Sequence, residues 1–230
     1  MNGKAVALII PALNEEACLP SSETRYRAIC FTVIVADNGS TDATAQVARA
    51  HGATVVSEPE RGYGAASLKA MAALPAEIDI IVWMQADLSE DPAEVPLLVG
   101  PIARGEYDLV MGRRIGEKGA LLPHQEFGNK LACFLMRLIW GHRYYDLGPF
   151  RAIRRDALFA MAMEDRNYGW TIEMQIKALQ RGLRVLEVPT KYRKRIAGEN
   201  KVSGNLRASL RAGWVILATV FRYWRRAEPR

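Results

Sequence analysis

The chain has 230 residues, half of them hydrophobic, and a formal net charge of +6. This length allows one large domain with a core of its own and leaves no room for two ordinary domains with linkers. The three cysteines, Cys18, Cys30 and Cys133, lack the spacing of a zinc or redox site, so we expect reduced thiols and no disulfide. No long hydrophobic segment precedes the strand-like run at Ala5, which argues against a secretory signal and for a cytoplasmic protein.

The positive charge is concentrated near the C-terminus. Residues 181–230 hold 13 Lys and Arg against 3 Asp and Glu, a net charge of +10, which leaves 18 against 22 and a net charge of −4 for residues 1–180. Such a basic segment attracts lipid headgroups, substrate phosphates or nucleic acid. Its basic residues are interleaved with an apolar stripe instead of an aromatic stacking platform, which argues against nucleic acid.

The first half of the chain alternates strand-like and helix-like segments. Strands are predicted over 5–10, 31–36, 53–56 and 79–84, and helices from the turn at 37–42 through Ala50 and over 65–74. This alternation predicts a mostly parallel sheet with right-handed crossovers. The predicted fold class is therefore α/β, doubly wound and Rossmann-like.

The second half is less regular. Asp91-Pro92 opens a predicted helix, since proline is favoured in a first helical turn. Further predictions are a strand over 107–111, a basic glycine-containing loop over 112–119, helices over 131–140 and 171–180, and a last strand over 184–188.

The stretch 205–226 is predicted to form one basic amphipathic helix that follows a domain of residues 1–204. An apolar stripe and a basic stripe lie side by side on it, made of Leu206, Leu210, Trp214, Leu217, Phe221 and Trp224 and of Arg207, Arg211, Arg222 and Arg225. Its longest uncharged run, 212–221, is far shorter than the ~20 residues that cross a bilayer. The helix could lie in a membrane interface, pack on the domain or form a homo-oligomer contact.

Polar residues follow three of the predicted strands, after Ile10, Ala36 and Met84. Parallel sheets bind ligands at the carboxyl ends of their strands. The loop at 61–64 adds a glycine-rich helix start whose backbone N–H groups suit a phosphate. Each feature alone is also typical of a turn or a helix cap, but together they indicate a nucleotide pocket.

Four segments follow one another along the chain in the order that is typical of one enzyme family. They are Ile9-Ile10-Pro11-Ala12-Leu13-Asn14-Glu15-Glu16, Val35-Ala36-Asp37-Asn38-Gly39-Ser40-Thr41-Asp42, Arg61-Gly62-Tyr63-Gly64-Ala65-Ala66 and Gln85-Ala86-Asp87. Over residues 5–204 the chain thereby resembles the family 2 glycosyltransferases of the GT-A fold. It is most similar to the polyprenyl-phosphate sugar synthases, whose later motifs resemble residues 146–151 and 195–201.

The resemblance implies a site for a nucleoside diphosphate sugar, UDP- or GDP-linked. Asp87 would bind Mg²⁺ or Mn²⁺ on the donor diphosphate, because hard cations prefer oxygen ligands. The residues implied to contact the nucleotide are Pro11, Asn14, Glu15, Asp37, Arg61, Gly62, Gly64, Gln85 and Ala86.

One residue departs from the family pattern. Gln85 occupies the position of the first carboxylate in the family's Asp-x-Asp motif. Its amide oxygen can still coordinate, but it carries no charge, so we expect weaker metal binding. The alternative is a catalytically weak nucleotide-sugar binding protein.

The acceptor decides which further residues matter. A hydroxyl acceptor needs a carboxylate to take its proton, for which Asp146 and Glu173 are the candidates. A polyprenyl phosphate is already ionised and needs cations that position it, and we assign this role to Arg113, Arg114, Arg195 and Lys201. The implied activity is sugar transfer, with inversion, to polyprenyl phosphate or another membrane-surface acceptor, by a protein peripheral to the inner face of the cell membrane.

Overall fold

The computed structural model describes residues 3–19, 32–116, 123–195 and 206–226. Within these ranges seven strands form one sheet in the order β3-β2-β1-β4-β6-β5-β7. The strands are β1 (Val6–Ala12), β2 (Thr32–Asp37), β3 (Thr54–Ser57), β4 (Ile80–Trp83), β5 (Leu109–Gly116), β6 (Arg151–Arg154) and β7 (Val185–Tyr192).

The helices described are α1 (Thr44–Ala50), α2 (Tyr63–Ala72), α3 (Val95–Ala103), α4 (Pro123–Trp140), α5 (Arg155–Ala160), α6 (Trp170–Gln180) and α7 (Leu206–Arg226). A 3₁₀ turn over Pro92–Glu94 leads into α3, and Asp91 caps it by accepting a hydrogen bond from the Ala93 N–H.

The sheet is covered on both faces. One apolar core joins it to α2, α4, α6 and α7, and a second joins it to α1 and α3. Strand β4 reads Ile-Ile-Val-Trp without a polar residue because all four of its side chains are buried between the two layers. The predicted doubly wound α/β class is confirmed.

Strand direction decides where the polar residues lie. Strand β1 pairs in parallel with β2 and β4, and β5 pairs in parallel with β7. The short strand β6 runs antiparallel to both β4 and β5. Since β6 is reversed, β4 and β5 point the same way, and the carboxyl ends of β1, β2, β4, β5 and β7 lie at one edge.

Two predicted boundaries need correction, and one strand was missed. Residues 112–116, expected in a loop, continue β5 because β7 pairs with them up to Gly116–Tyr192. Helix α4 begins at Pro123 instead of Leu131. Strand β6 was not predicted, since Arg-Ala-Ile-Arg has no apolar run or alternation long enough to indicate a strand.

The start of α2 packs against a loop from the second half of the chain. The Gly64 N–H donates to the Asn167 carbonyl at 3.2 Å, and the Ala65 N–H donates to the Arg166 carbonyl at 2.8 Å. The expectation that these N–H groups are available to a phosphate is therefore wrong for Gly64 and Ala65. The glycine is needed for close approach: a Cβ at position 64 would lie 2.0 Å from the Asp165 carbonyl oxygen.

We expect Gly64→Ala to lower the free energy of unfolding by about 1–3 kcal/mol, because backbone must move to admit the methyl group. Gly128→Ala, in α4, is the matched control: a Cβ there meets no atom within 4 Å. Alanine is favoured over glycine in a helix, so this control should be neutral or stabilising. Urea denaturation of both variants checks the prediction, and equal effects would contradict it.

Candidate functional site

The loops after β1 and β2 are tied together at the carboxyl edge of the sheet. The Asn14 N–H donates to Ser40 Oγ at 2.9 Å, and Asn14 Oδ1 accepts from the Thr41 N–H at 2.8 Å. Asn14 has a φ of 50°, a left-handed conformation that asparagine tolerates better than most residues. Pro11 and Asp37, both half-buried, lie at the ends of the same two strands. The structure thus brings these predicted nucleotide residues together.

Asn38 organises the neighbouring loop and was not among the predicted site residues. Its Nδ2 donates to the carbonyls of Glu58 and Glu60, and its Oδ1 accepts from the Gly62 N–H at 2.8 Å. This fixes the loop that carries Arg61, whose exposed guanidinium lies over Gly39. Its position within the Asp-Asn-Gly-Ser motif was the available sequence signal.

The loop after β4 carries Gln85, Ala86 and Asp87. Asp87 is 7% exposed, and its Oδ1 accepts from the Ser89 N–H at 3.0 Å. The Ser89 hydroxyl donates to Gln85 Oε1 at 3.2 Å. Leu88 has a φ of 56°, a conformation that costs a non-glycine residue energy and that clusters at functional sites.

Two predicted carboxylates converge on a predicted cation. The Arg195 guanidinium forms an ion pair with Glu15, and its Nη1 lies 3.4 Å from Asp87 Oδ2. Glu15 and Asp87 are both almost fully buried, so a cation between them compensates charges that would otherwise be costly. This arrangement connects the loop after β1 with the loop after β4.

These residues suit a divalent cation. Carboxylate and amide oxygens are hard donors, and Mg²⁺ usually takes one or two carboxylates with substrate phosphates. Asp87 and Gln85 offer such oxygens, and Arg195 already marks the place as one where a positive charge is stabilised. Among the described residues, no three His, Cys, Asp or Glu side chains form a ready-made metal-binding group.

Glu90 is an unpredicted member of this region. It is 1% exposed, its Oε2 accepts from the Gln85 N–H at 2.8 Å, and its Oε1 has no hydrogen-bond partner within the described residues. Burial raises the pKa of Glu90 to about 8, with a smaller contribution from the nearby Asp87. An aspartate at position 85 would add one more acidic group to this region.

The second half of the site lies at the end of β5. The backbone N–H and guanidinium of Arg114 make three hydrogen bonds to Asp146, with lengths between 2.6 and 2.9 Å. Burial lowers the pKa of Arg114, but its hydrogen bond to Asp146 and the negative charges around it together outweigh burial, so the pKa is raised overall. Arg114 and the buried Asp146 thus form a close ion pair, so Asp146 is not available as a base in this arrangement.

The loop that carries Asp146 is held from several directions. Glu187 accepts from the N–H groups of Tyr145 and Asp146, and Asn129 Oδ1 accepts from the Leu147 N–H at 2.8 Å. The buried Arg151 donates to the carbonyls of Leu147 and Gly148. Asp146 is therefore a pre-positioned partner of Arg114.

Two cations flank the exposed ring of Tyr145. The guanidinium of Arg113 lies 5.2 Å from the ring centre, and that of Arg143 lies 4.7 Å from it. Such cation–π contacts orient arginines while leaving their N–H groups able to bind an anion. The structure thus adds Arg143 to the predicted cations.

The two halves meet at Tyr192. Its ring lies under the Arg114 guanidinium, 5.3 Å from the ring centre, and Tyr192 forms an isolated β-bridge with Glu90. Burial raises the pKa of Tyr192. Its place at the end of an edge strand gave no sequence signal of a role in the site.

Glu173 requires a correction, and Lys201 lies outside the described residues. Glu173 is fully buried, and its carboxylate accepts from the N–H groups of Glu164 and Asp165 and from the Tyr223 hydroxyl. Lys177 Nζ lies 2.8 Å from the same carboxylate. A carboxylate without access to solvent and with these partners connects helices; it does not take a proton from an acceptor.

We expect Asp146→Asn to cost about 3 kcal/mol of stability, because it leaves Arg114, whose side chain is only 14% exposed, without a counter-charge. Asp156→Asn is the matched control, since Asp156 is 68% exposed and pairs with Arg154 at the surface. Exposed pairs contribute about 1 kcal/mol or less. Chemical denaturation measures both, and similar losses would mean that the Arg114 pair contributes no more than a surface pair.

The buried Glu90 should make the stability of the protein depend on pH. The folded protein holds a proton on Glu90 up to a pH of about 8, whereas the unfolded chain releases it near 4.5, so this group lowers stability as pH rises through that window. Glu90→Gln should therefore be more stabilising at pH ~8 than at pH ~5, by up to about 1.4 kcal/mol per pH unit.

Thermal unfolding at the two pH values, with the exposed Glu77→Gln as control, tests this expectation. A change that is equal at both pH values would contradict it.

Comparison with known proteins agrees with this geometry. The Glycosyl transferase family 2 profile matches residues 7–159. An uncharacterized glycosyltransferase of Mycobacterium tuberculosis is 39% identical over 214 residues, which cover 91% of this chain and 95% of that protein. The undecaprenyl-phosphate mannosyltransferase of Micrococcus luteus is 29% identical over 217 residues, which cover 87% of this chain and 88% of that protein.

Among solved structures, glucosyl-3-phosphoglycerate synthase from Mycobacterium tuberculosis, in complex with Mn²⁺, UDP-glucose and phosphoglyceric acid, superimposes with a TM-score of 0.78. The sequences are 27% identical, and the match covers 96% of this chain and 80% of that one. The predicted GT-A fold is thereby confirmed, and the chain belongs to glycosyl transferase family 2.

Proposed function

We propose that this glycosyltransferase moves a sugar from a UDP- or GDP-linked donor to a polyprenyl phosphate, with inversion and with Mg²⁺ or Mn²⁺ as cofactor. The observation that carries the proposal is the convergence of Glu15 and Asp87 on Arg195 at the carboxyl edge of β1 and β4. A leaving diphosphate gains negative charge as its bond to the sugar breaks. Two carboxylates around one arginine favour a further bound cation, and that cation together with Arg195 would stabilise the diphosphate.

Asp87 and the amide oxygen of Gln85 would hold the cation. When bound, the cation supplies positive charge to the donor diphosphate. Arg195 would then exchange its contact with Asp87 for the phosphates, since a guanidinium binds carboxylate and phosphate oxygens with the same geometry. Mn²⁺ and UDP-glucose in the glucosyl-3-phosphoglycerate synthase structure support this assignment by analogy.

The nucleoside would lie against the loops after β1 and β2. Pro11 and Asp37 border that space, and Asn14 and Asn38 keep the two loops and the Arg61 loop in register. Gly62 and Gly64 contribute by letting backbone pack closely, so their part in donor binding is to support Arg61.

The acceptor phosphate would bind to Arg113 and Arg143 beside Tyr145. An oxygen of the ionised phosphate forms the new bond to the anomeric carbon while the bond from that carbon to the diphosphate breaks. No proton needs to be removed. Glu15 and Asp146 are each bonded to an arginine, which disfavours a carboxylate nucleophile and favours one displacement with inversion.

Calorimetric titration of UDP- and GDP-sugars, with and without Mn²⁺, tests the donor half. We expect one base to bind with metal dependence, and the absence of any binding would overturn the proposal. Donor binding that does not depend on metal, in a protein that transfers no sugar, would instead support the alternative of a catalytically weak nucleotide-sugar binding protein. Gln85 favours this alternative because it lacks the negative charge of an aspartate beside the metal.

Asp87→Asn should lower the metal-dependent affinity for the donor on the order of 100-fold. Removing a residue that only hydrogen-bonds to a metal ligand lowers metal affinity by up to about 100-fold, and removing the charged ligand itself should cost at least as much. The exposed Asp156→Asn should leave the affinity unchanged. Wild-type affinity in Asp87→Asn would remove Asp87 from the metal site.

A transfer assay distinguishes the acceptors. Polyprenyl phosphate and the soluble acceptor 3-phosphoglycerate share a phosphate, and the neighbouring synthase structure holds the phosphoglyceric acid. We expect transfer to the polyprenyl phosphate. Transfer only to 3-phosphoglycerate would confirm that the protein is an active glycosyltransferase and would rule out the lipid acceptor.

A further inference from the structure

Helix α4 is apolar on two opposite sides. Ala132, Cys133 and Met136 face inward and are buried. Phe127, Phe134 and Leu138 are 69%, 55% and 66% exposed. At about 100° per residue these three lie within about 40° of one another, directly opposite Met136. An amphipathic helix of a globular domain needs only the inward side.

Helix α7 repeats this arrangement. Thr219, Val220 and Tyr223 face the domain and are buried. Three members of the apolar stripe predicted from the sequence face the other way: Trp214, Phe221 and Trp224 are 72%, 48% and 53% exposed. The rings of Phe221 and Trp224 contact each other edge to face. Packing on the domain therefore does not account for this stripe.

The two exposed sides form one surface. Helices α4 and α7 contact each other, and both contact α6. Because each turns its opposite side into the same core, their exposed sides point away from the domain together. We call this surface the outer aromatic face; it holds six of the ten exposed large apolar side chains in the described part of the chain: Phe127, Phe134, Leu138, Trp214, Phe221 and Trp224.

The charge on these helices identifies the occupant. Their sequences contain seven Lys and Arg and one acidic residue, Glu126. The Glu126 carboxylate lies 3.7 Å from Lys130 Nζ. Arg222 and Arg225 are exposed beside the aromatic rings. In a symmetric dimer the same surface meets itself, so the exposed Arg137, Arg222 and Arg225 would face the same cations of a second copy with little compensation. An anionic lipid surface offers both the apolar interior and the opposite charge.

We propose that the outer aromatic face docks in the interface of an anionic membrane, with both helices lying in its plane. No helix within the described ranges is long and apolar enough to cross a bilayer. Tryptophan rings favour the headgroup level, where the ring is apolar and its N–H finds a polar partner. The flanking arginines would contact lipid phosphates.

Docking on this face would orient the site. Asn129, on α4, accepts from the Leu147 N–H and donates to the Tyr145 carbonyl, so the same helix holds the loop with Tyr145 and Asp146. A lipid-linked acceptor would then reach Arg113 and Arg143 from the membrane side. This consequence rests on the proposed function, whereas the docking itself does not.

Vesicle flotation of the full-length protein tests the docking, with phosphatidylcholine vesicles and with vesicles that also contain phosphatidylglycerol. We expect binding to the anionic vesicles that weakens with salt. Trp214→Ser combined with Trp224→Ser should reduce it at least about tenfold, and Arg222→Gln about fivefold. Leu97→Ser is the matched control, because Leu97 is 50% exposed on α3, which lies on the opposite face of the sheet.

Equal binding to both vesicle types, no binding, or a double variant that binds like the wild type would each overturn the proposal. So would a dimer, seen by light scattering, that the tryptophan variants dissociate, since the face would then bind a second copy. Circular dichroism confirms that the variants fold. No donor or acceptor is present in flotation, so the two proposals are tested separately. If the protein docks on vesicles but transfers no sugar, the docking proposal stands and the proposed function is wrong.

Discussion

Strand β1 pairs in parallel with β2 on one side and with β4 on the other, and this constraint positions the loops of the candidate site that follow these strands. It brings the loops with Asn14, Asp37 and Asp87 to one edge without any contact between their side chains being needed. The reversed strand β6 extends the effect, because it lets β5 point the same way as β4. Arg113 and Arg114 thus reach the same edge, and the chain that enters β6 brings Asp146 to them.

At this edge buried acids are balanced by arginines. Arg195 compensates Glu15 and Asp87, and Arg114 compensates Asp146. These pairs cost desolvation energy, so they are weak evidence for stability and better evidence for a site that must hold charge in fixed positions. A donor diphosphate that brings its own negative charge would change this balance, with Arg195 as the group that can change partners.

Much of the fold could be predicted from the sequence because it is encoded locally. The buried strand β4 and the polar residues after β1 and β2 lie in short, contiguous patterns, and the family motif linked Glu15 and Asp87 to one ligand. The burial of Glu173 could not be predicted, since a charged residue on an amphipathic helix is expected to be exposed unless its hydrogen-bond partners are known. Those partners, Glu164, Asp165 and Tyr223, lie as far as 50 residues away. The direction of α7 was uncertain for a similar reason, because the helix is apolar on both sides and sequence periodicity does not say which side meets the domain.

The buried carboxylate of Glu173 has a consequence for the last helix. Tyr223 of α7 donates to it, and the same carboxylate fixes the backbone of Glu164 and Asp165. Asp165 and the two residues after it form the wall against which Gly64 and the start of α2 pack. A chain of direct contacts therefore runs from α7 to the start of α2. The last helix is thus a structural support of the start of α2 as well as an outer surface, and shortening the chain there would loosen the wall against which α2 packs.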